Sequence, residues 1–95
     1  MSDTINIEDY IANENLTKYY QQTALKPVKV EVQDGEVTIS RDGYSVTFQY
    51  TVWDAWRQGV GYIQDVFKDF NEDDREFIMT GITPQEWEDM FGENE

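Results

Sequence analysis

Two Asp-Gly dipeptides lie eight residues apart, Asp34-Gly35 and Asp42-Gly43, each flanked by alternating apolar residues. Asp-Gly is a favoured occupant of the two-residue type I′ hairpin turn, in which both central residues need positive φ. Before the first pair, Pro27 to Val32 places Val28, Val30 and Val32 on one face. Glu36 to Arg41 does the same with Val37 and Ile39, and Tyr44 to Thr51 with Tyr44, Val46, Phe48 and Tyr50. Two-residue turns set the register, so Val32 should face Val37, Val30 should face Ile39, Ile39 should face Val46, and Val37 should face Phe48. All of these residues then fall on one side of a three-stranded meander, and a slip of one residue would turn a strand's apolar set outward. The other side carries Lys29, Glu31, Thr38, Ser40, Ser45, Thr47 and Gln49 and is expected to face water.

The flanking segments have helical spacing. Residues 5–23 read as a helix, with a break near Asn13 left open. Ile7, Tyr10 and Ile11, then Leu16, Tyr19 and Tyr20, recur at steps of three and four and form the expected apolar stripe. Lys26-Pro27 closes this segment, because the residue before proline avoids helical angles. From Trp53 the period is again helical, and Trp53, Trp56, Val60, Ile63, Phe67 and Phe70 make one stripe. Gly59 and Gly61 interrupt it, either as points of close packing on the sheet or as a hinge. Asn71 is placed to cap a helix over Glu72 to Met79, with Phe77 and Ile78 inward and Gly81 as its stop. Thr83-Pro84-Gln85-Glu86 has the form of a capping box with proline at the first helical position. It opens a last helix that runs to Phe91, with Trp87, Met90 and Phe91 on its apolar side and Gly92 as its stop. Glu93-Asn94-Glu95 is expected to fray. The reading is an α+β fold: an N-terminal helix, a three-stranded antiparallel meander, then three C-terminal helices packed on one sheet face. Its 95 residues suffice for one domain, 1–95, and leave no room for a second.

The composition narrows function by exclusion. With no cysteine and no histidine there is no disulfide, no thiolate or imidazole metal site and no histidine-based acid–base chemistry. No spaced nucleophile motif or glycine-rich phosphate loop is present. Asp69, Asn71 and Asp73 match the opening of a calcium loop, but its sixth position holds Asp74 in place of glycine and its twelfth holds Thr80 in place of glutamate. The expectation is a non-enzyme with no cofactor and no metal site. No apolar run is long enough to span a membrane. Met1-Ser2-Asp3-Thr4 lacks the basic start and apolar core of a signal peptide, so the expected location is the cytoplasm.

The net charge is -13, from 20 acids against 7 bases. Contact with nucleic acid phosphates or an anionic membrane needs clustered Lys and Arg, and the seven bases do not cluster, so neither is an expected partner. The acids are uneven: residues 1–50 hold 8 acids and 4 bases, residues 51–95 hold 12 and 3. Asp65, Asp69, Glu72, Asp73, Asp74 and Glu76 lie within twelve positions, and Glu86, Glu88 and Asp89 follow. Carboxylates three or four residues apart on a helix lie about 5–6 Å from each other. That spacing is of the same order as the phosphate spacing along a nucleic-acid strand. These nine residues are the expected partner-binding set, and the expected partner is a basic protein. Solvation of ordinary acidic helix faces is the simpler alternative, as is adaptation to high salt.

The segment from Thr80 to Gly92, Thr-Gly-Ile-Thr-Pro-Gln-Glu-Trp-Glu-Asp-Met-Phe-Gly, resembles a C-terminal motif of small proteins from phages and prophages of Gram-positive bacteria. The order helix, meander, helices, joined to heavy acidity, is similar to phage anti-CRISPR proteins that mimic DNA against Cas9. The resemblance implies a surface that occupies the pocket where a host nuclease reads its short recognition duplex, in the cytoplasm of the host cell. It transfers no contact residue. The alternative is a non-catalytic interaction module, monomeric or homodimeric, that uses apolar contacts of Trp87, Met90, Phe91 and the aromatics of the first helix.

Overall fold

A computed structural model describes residues 6–91, with Phe91 described by its backbone alone. Gly92 as a stop, the frayed tail, residue 5 as the helix start and the apolar role of Phe91 lie outside the described residues. The elements follow in the order α1 (Ile7–Thr23), β1 (Lys29–Gln33), β2 (Glu36–Arg41), β3 (Tyr44–Gln49), α2 (Tyr50–Arg57), α3 (Ile63–Val66), α4 (Glu72–Thr80) and α5 (Pro84–Phe91).

The meander has the expected register. Val32 faces Val37, Val30 faces Ile39, Ile39 faces Val46 and Val37 faces Phe48 in one antiparallel sheet of order β1-β2-β3. Both turns have positive φ at both central residues: 53° and 79° at Asp34 and Gly35, 53° and 84° at Asp42 and Gly43. These are the angles a type I′ turn requires, and aspartate tolerates the left-handed region better than most residues.

Val37, Ile39, Val46 and Phe48 are buried against Leu16 and Tyr20 of α1, Trp53 of α2, Phe67, and Phe77 and Ile78 of α4. All the helices that supply this core therefore share one sheet face. On the other face the Thr38 and Thr47 hydroxyls pair at 2.9 Å. Tyr20 and Tyr19 pin α1 to the end of α4 by donating to the carbonyls of Ile78 and Met79 at 2.6 and 2.5 Å. Tyr19 also packs edge-on against Trp53, and the Arg57 guanidinium sits 4.8 Å from its ring centre.

The structure differs from these expectations at four points. α1 is unbroken at Asn13, whose side chain donates to the Val30 carbonyl at 3.2 Å. Its buried stripe is Ala12, Leu16 and Tyr20, at steps of four; Ile7, Tyr10 and Ile11 are exposed. β3 ends at Gln49 and α2 begins at once with Tyr50, so Tyr50 is helical. The stripe from Trp53 to Phe70 is not one helix. α2 stops at Arg57, Gly59 has φ of 85°, and the one-turn α3 follows, giving four helical segments after the sheet and leaving Val60 73% exposed. A left-handed glycine ends a helix because its carbonyls can be satisfied there without a Cβ clash.

The later caps are as expected. The Asn71 side chain accepts from the Asp74 backbone N–H at 2.8 Å, and Gly81 closes α4 with φ of 74°. The Thr83 hydroxyl accepts from the Glu86 N–H at 3.2 Å, while Glu86 Oε1 accepts from the Thr83 N–H at 3.0 Å.

Candidate acidic groove

The two ends of β2 are chemically different, and the Arg41 end leads to the candidate site. Strand alternation points Arg41 to the core side, in line with Val37 and Ile39, where a guanidinium needs an anion. Glu86, in the first turn of α5, supplies it. The Arg41 and Glu86 side chains are 5% and 14% exposed and form an ion pair. Arg41 Nη1 also approaches Asp42 at 3.4 Å, and Lys26 lies 3.9 Å from Glu86. The capping box and the ion pair thus use the same carboxylate to seat α5 beside the β2–β3 turn.

α4 is brought to the same place from the other side. Tyr44, the first residue of β3, donates its hydroxyl to the Asp74 carboxylate, and its ring meets Phe77 edge-on at 5.0 Å. Burial, then the hydrogen bond to Asp74 and the charges of Asp74 and Asp73, hold the Tyr44 hydroxyl well above its ordinary range. The first turn of α4 therefore starts next to the turn at Asp42-Gly43.

Between these elements lies an open groove of about 550 Å³, and Asp42, Asp73, Glu86 and Asp89 line it. Asp42, Asp73 and Asp89 are exposed, whereas Glu86 is half-buried and engaged with Arg41. Gln85 donates to Asp89 at 3.1 Å. Lys26 is the cation on the rim. Three exposed carboxylates about one concavity can accept charge-assisted hydrogen bonds from guanidinium or ammonium groups.

The nine residues expected from the sequence are distributed unevenly. Asp73, Glu86 and Asp89 meet at the groove, while Asp74 is outside its lining and accepts the hydroxyl of Tyr44, which lines it. Glu72 is exposed on α4, and Glu88 is exposed on α5. Glu76 is half-buried, its backbone carbonyl accepting the Thr80 hydroxyl. Asp65 is exposed on α3, and Asp69 lines a different groove, with Glu36. Asp42 joins the set from the first half of the chain. In the sequence Asp42 belongs to the turn alone, and its further signal is that a turn aspartate leaves its carboxylate at the surface.

Among the described residues, no cluster of three or more carboxylates is arranged to hold a metal ion, and no helix is long and apolar enough to cross a membrane. No protein-family model, curated protein or solved structure matches the chain.

Proposed function

We propose that this protein is a phage-derived, non-catalytic inhibitor that presents carboxylates in place of phosphates to the basic groove of a host nuclease or other DNA-binding protein. The observation that carries the reading is the convergence of Asp42, Asp73 and Asp89 on one groove from a turn and two helices distant in sequence. A net charge of -13 adds a long-range field that attracts a basic partner and speeds its association. Glu86 has a different part: it sets the position of α5, and hence of Asp89, through Arg41.

The test is competition with DNA for a nuclease of the Cas9 type as the salt concentration is varied. Phosphate mimicry requires affinity to fall steeply as salt rises, because the partner's cations are then contested by free ions. The variant Asp42→Asn/Asp73→Asn/Asp89→Asn is expected to bind at least about tenfold more weakly and with a shallower salt dependence. Asparagine suits the left-handed angles of position 42, so the turn is kept. Binding that ignores salt, or that survives the triple substitution unchanged, overturns the reading.

A further inference from the structure

We infer that the protein has a second docking surface, at the opposite end of the sheet, for a basic amphipathic segment of a partner protein. The surface is a groove of about 580 Å³ enclosed by the first turns of α1, the β1–β2 turn and the start of α2. Ile11, Ala12 and Tyr50 form its apolar part, while Glu8, Asp9 and Asp34 form its polar part. It shares no residue with the groove at Asp42, Asp73 and Asp89. The six-residue β2 separates the two by about 20 Å.

Two features set this groove apart from an ordinary acidic surface. The first is exposed apolar area: Ile11, 49% exposed, lines the groove, while Ile7 and Tyr10, 69% and 55% exposed, lie on the same helix outside its lining. They are exposed because α1 turns Ala12, Leu16 and Tyr20 to the core instead. Scattered apolar residues are normal on a surface, but apolar side chains such as Ile11 and Tyr50 inside a concavity with a few polar groups are the usual form of an interaction site. The second is built geometry. Asp9 accepts the backbone N–H groups of Asp34 and Gly35 at 2.7 and 2.9 Å, one on each carboxylate oxygen. This ties α1 to the turn and holds the groove in shape before any ligand arrives.

Charge selects the occupant. No Lys or Arg lines the groove, and neither Glu8 nor Asp34 has an ion-pair partner among the described residues. A nucleic acid or anionic membrane is repelled, and a second copy would bring the same carboxylates against themselves. A basic amphipathic segment satisfies both parts: Leu-like side chains cover Ile11 and Tyr50, and Lys or Arg stems lie along the same floor with their heads at Glu8 and Asp34.

The probe is a synthetic helical peptide with one leucine face and one lysine face, titrated into the full-length ¹⁵N-labelled protein. Shifts should be confined to residues 6–12, 34–35 and 50–51. Glu8→Gln/Asp34→Asn should raise Kd about five- to tenfold, and Ile11→Ser by a similar factor. Asp73→Asn/Asp89→Asn should leave this Kd unchanged, so failure here and failure of the nuclease reading are separable. The proposal is overturned if shifts map to α4 and α5, or if the Glu8/Asp34 or Ile11 substitutions have no effect. It is also overturned if a peptide with serine in place of leucine binds as well, if the free chain forms a stable dimer through α1, or if the peptide binds only after residues 1–5 are removed.

Discussion

Arg41 at the end of β2 and Glu86 in the first turn of α5 form an ion pair across a sequence separation that no local signal spans, with both side chains largely removed from water. Each closes off the other's charge, and Glu86 at the same time satisfies the Thr83 N–H. α5 therefore depends on one carboxylate for both its start and its seat.

Glu86→Gln tests that dependence, because glutamine preserves the capping box while removing the charge. It takes from a buried guanidinium its buried anion, Glu86, and is expected to cost about 3 kcal/mol. Asp42, 63% exposed and 3.4 Å from Arg41 Nη1, compensates little. Arg41→Met in the Glu86→Gln background should restore much of the loss, with a coupling energy of about 2 kcal/mol. Urea unfolding of the four proteins in the cycle measures it, and additive losses would show that the pair is not coupled.

Gly81 and Gly59 both have positive φ, yet their surroundings differ. A Cβ at Gly81 would lie 2.7 Å from the Ala24 Cβ and 3.1 Å from a Val28 methyl, whereas one at Gly59 would meet nothing within 4 Å. Gly81→Ala is expected to cost about 2–4 kcal/mol, from left-handed strain plus overpacking, and Gly59→Ala about 1 kcal/mol, from strain alone. Thermal unfolding ranks the two directly.

Tyr20 and Tyr44 give the fold an alkaline limit. Burial raises the Tyr20 hydroxyl well above its ordinary value of 10.0, and burial and Asp74 raise Tyr44. For both, the folded state favours the neutral form. Their contribution is therefore fully present below the ordinary pKa and is lost as pH rises through it toward the folded value. The urea midpoint should fall as pH is taken above 10, and Tyr20→Phe and Tyr44→Phe should each flatten that fall. Equal slopes in wild type and both variants would assign the limit to other groups.

The meander was legible because turn chemistry and side-chain alternation are independent and agreed at Asp34-Gly35 and Asp42-Gly43. The α4 cap at Asn71 and the capping box at Thr83 were legible for the same reason: each is a local bond between residues a few positions apart. The α1 stripe was misjudged because large residues drew the pattern, while the helix buries small Ala12 and leaves Ile7, Tyr10 and Ile11 outside. At Tyr50 the apolar alternation runs one residue past the point where the backbone turns helical, so the pattern could not mark the boundary. Gly59 carried both a packing and a hinge reading, and only its φ resolves it as a helix end.

The candidate site was half legible. A run of acids at residues 65–76 and 86–89 is plain in the sequence, but which of them share a concavity depends on how the turn at Asp42 meets two helices. That depends in turn on Arg41–Glu86 and Tyr44–Asp74, contacts that periodicity does not reveal.

The bond from Asn13 to the Val30 carbonyl has a consequence for how copies of this chain can associate. A terminal strand with unpaired backbone groups is a template for further strands. Here the Asn13 side chain takes one outward carbonyl of β1, which places α1 against that margin and makes it a poorer template for an added strand than a bare edge.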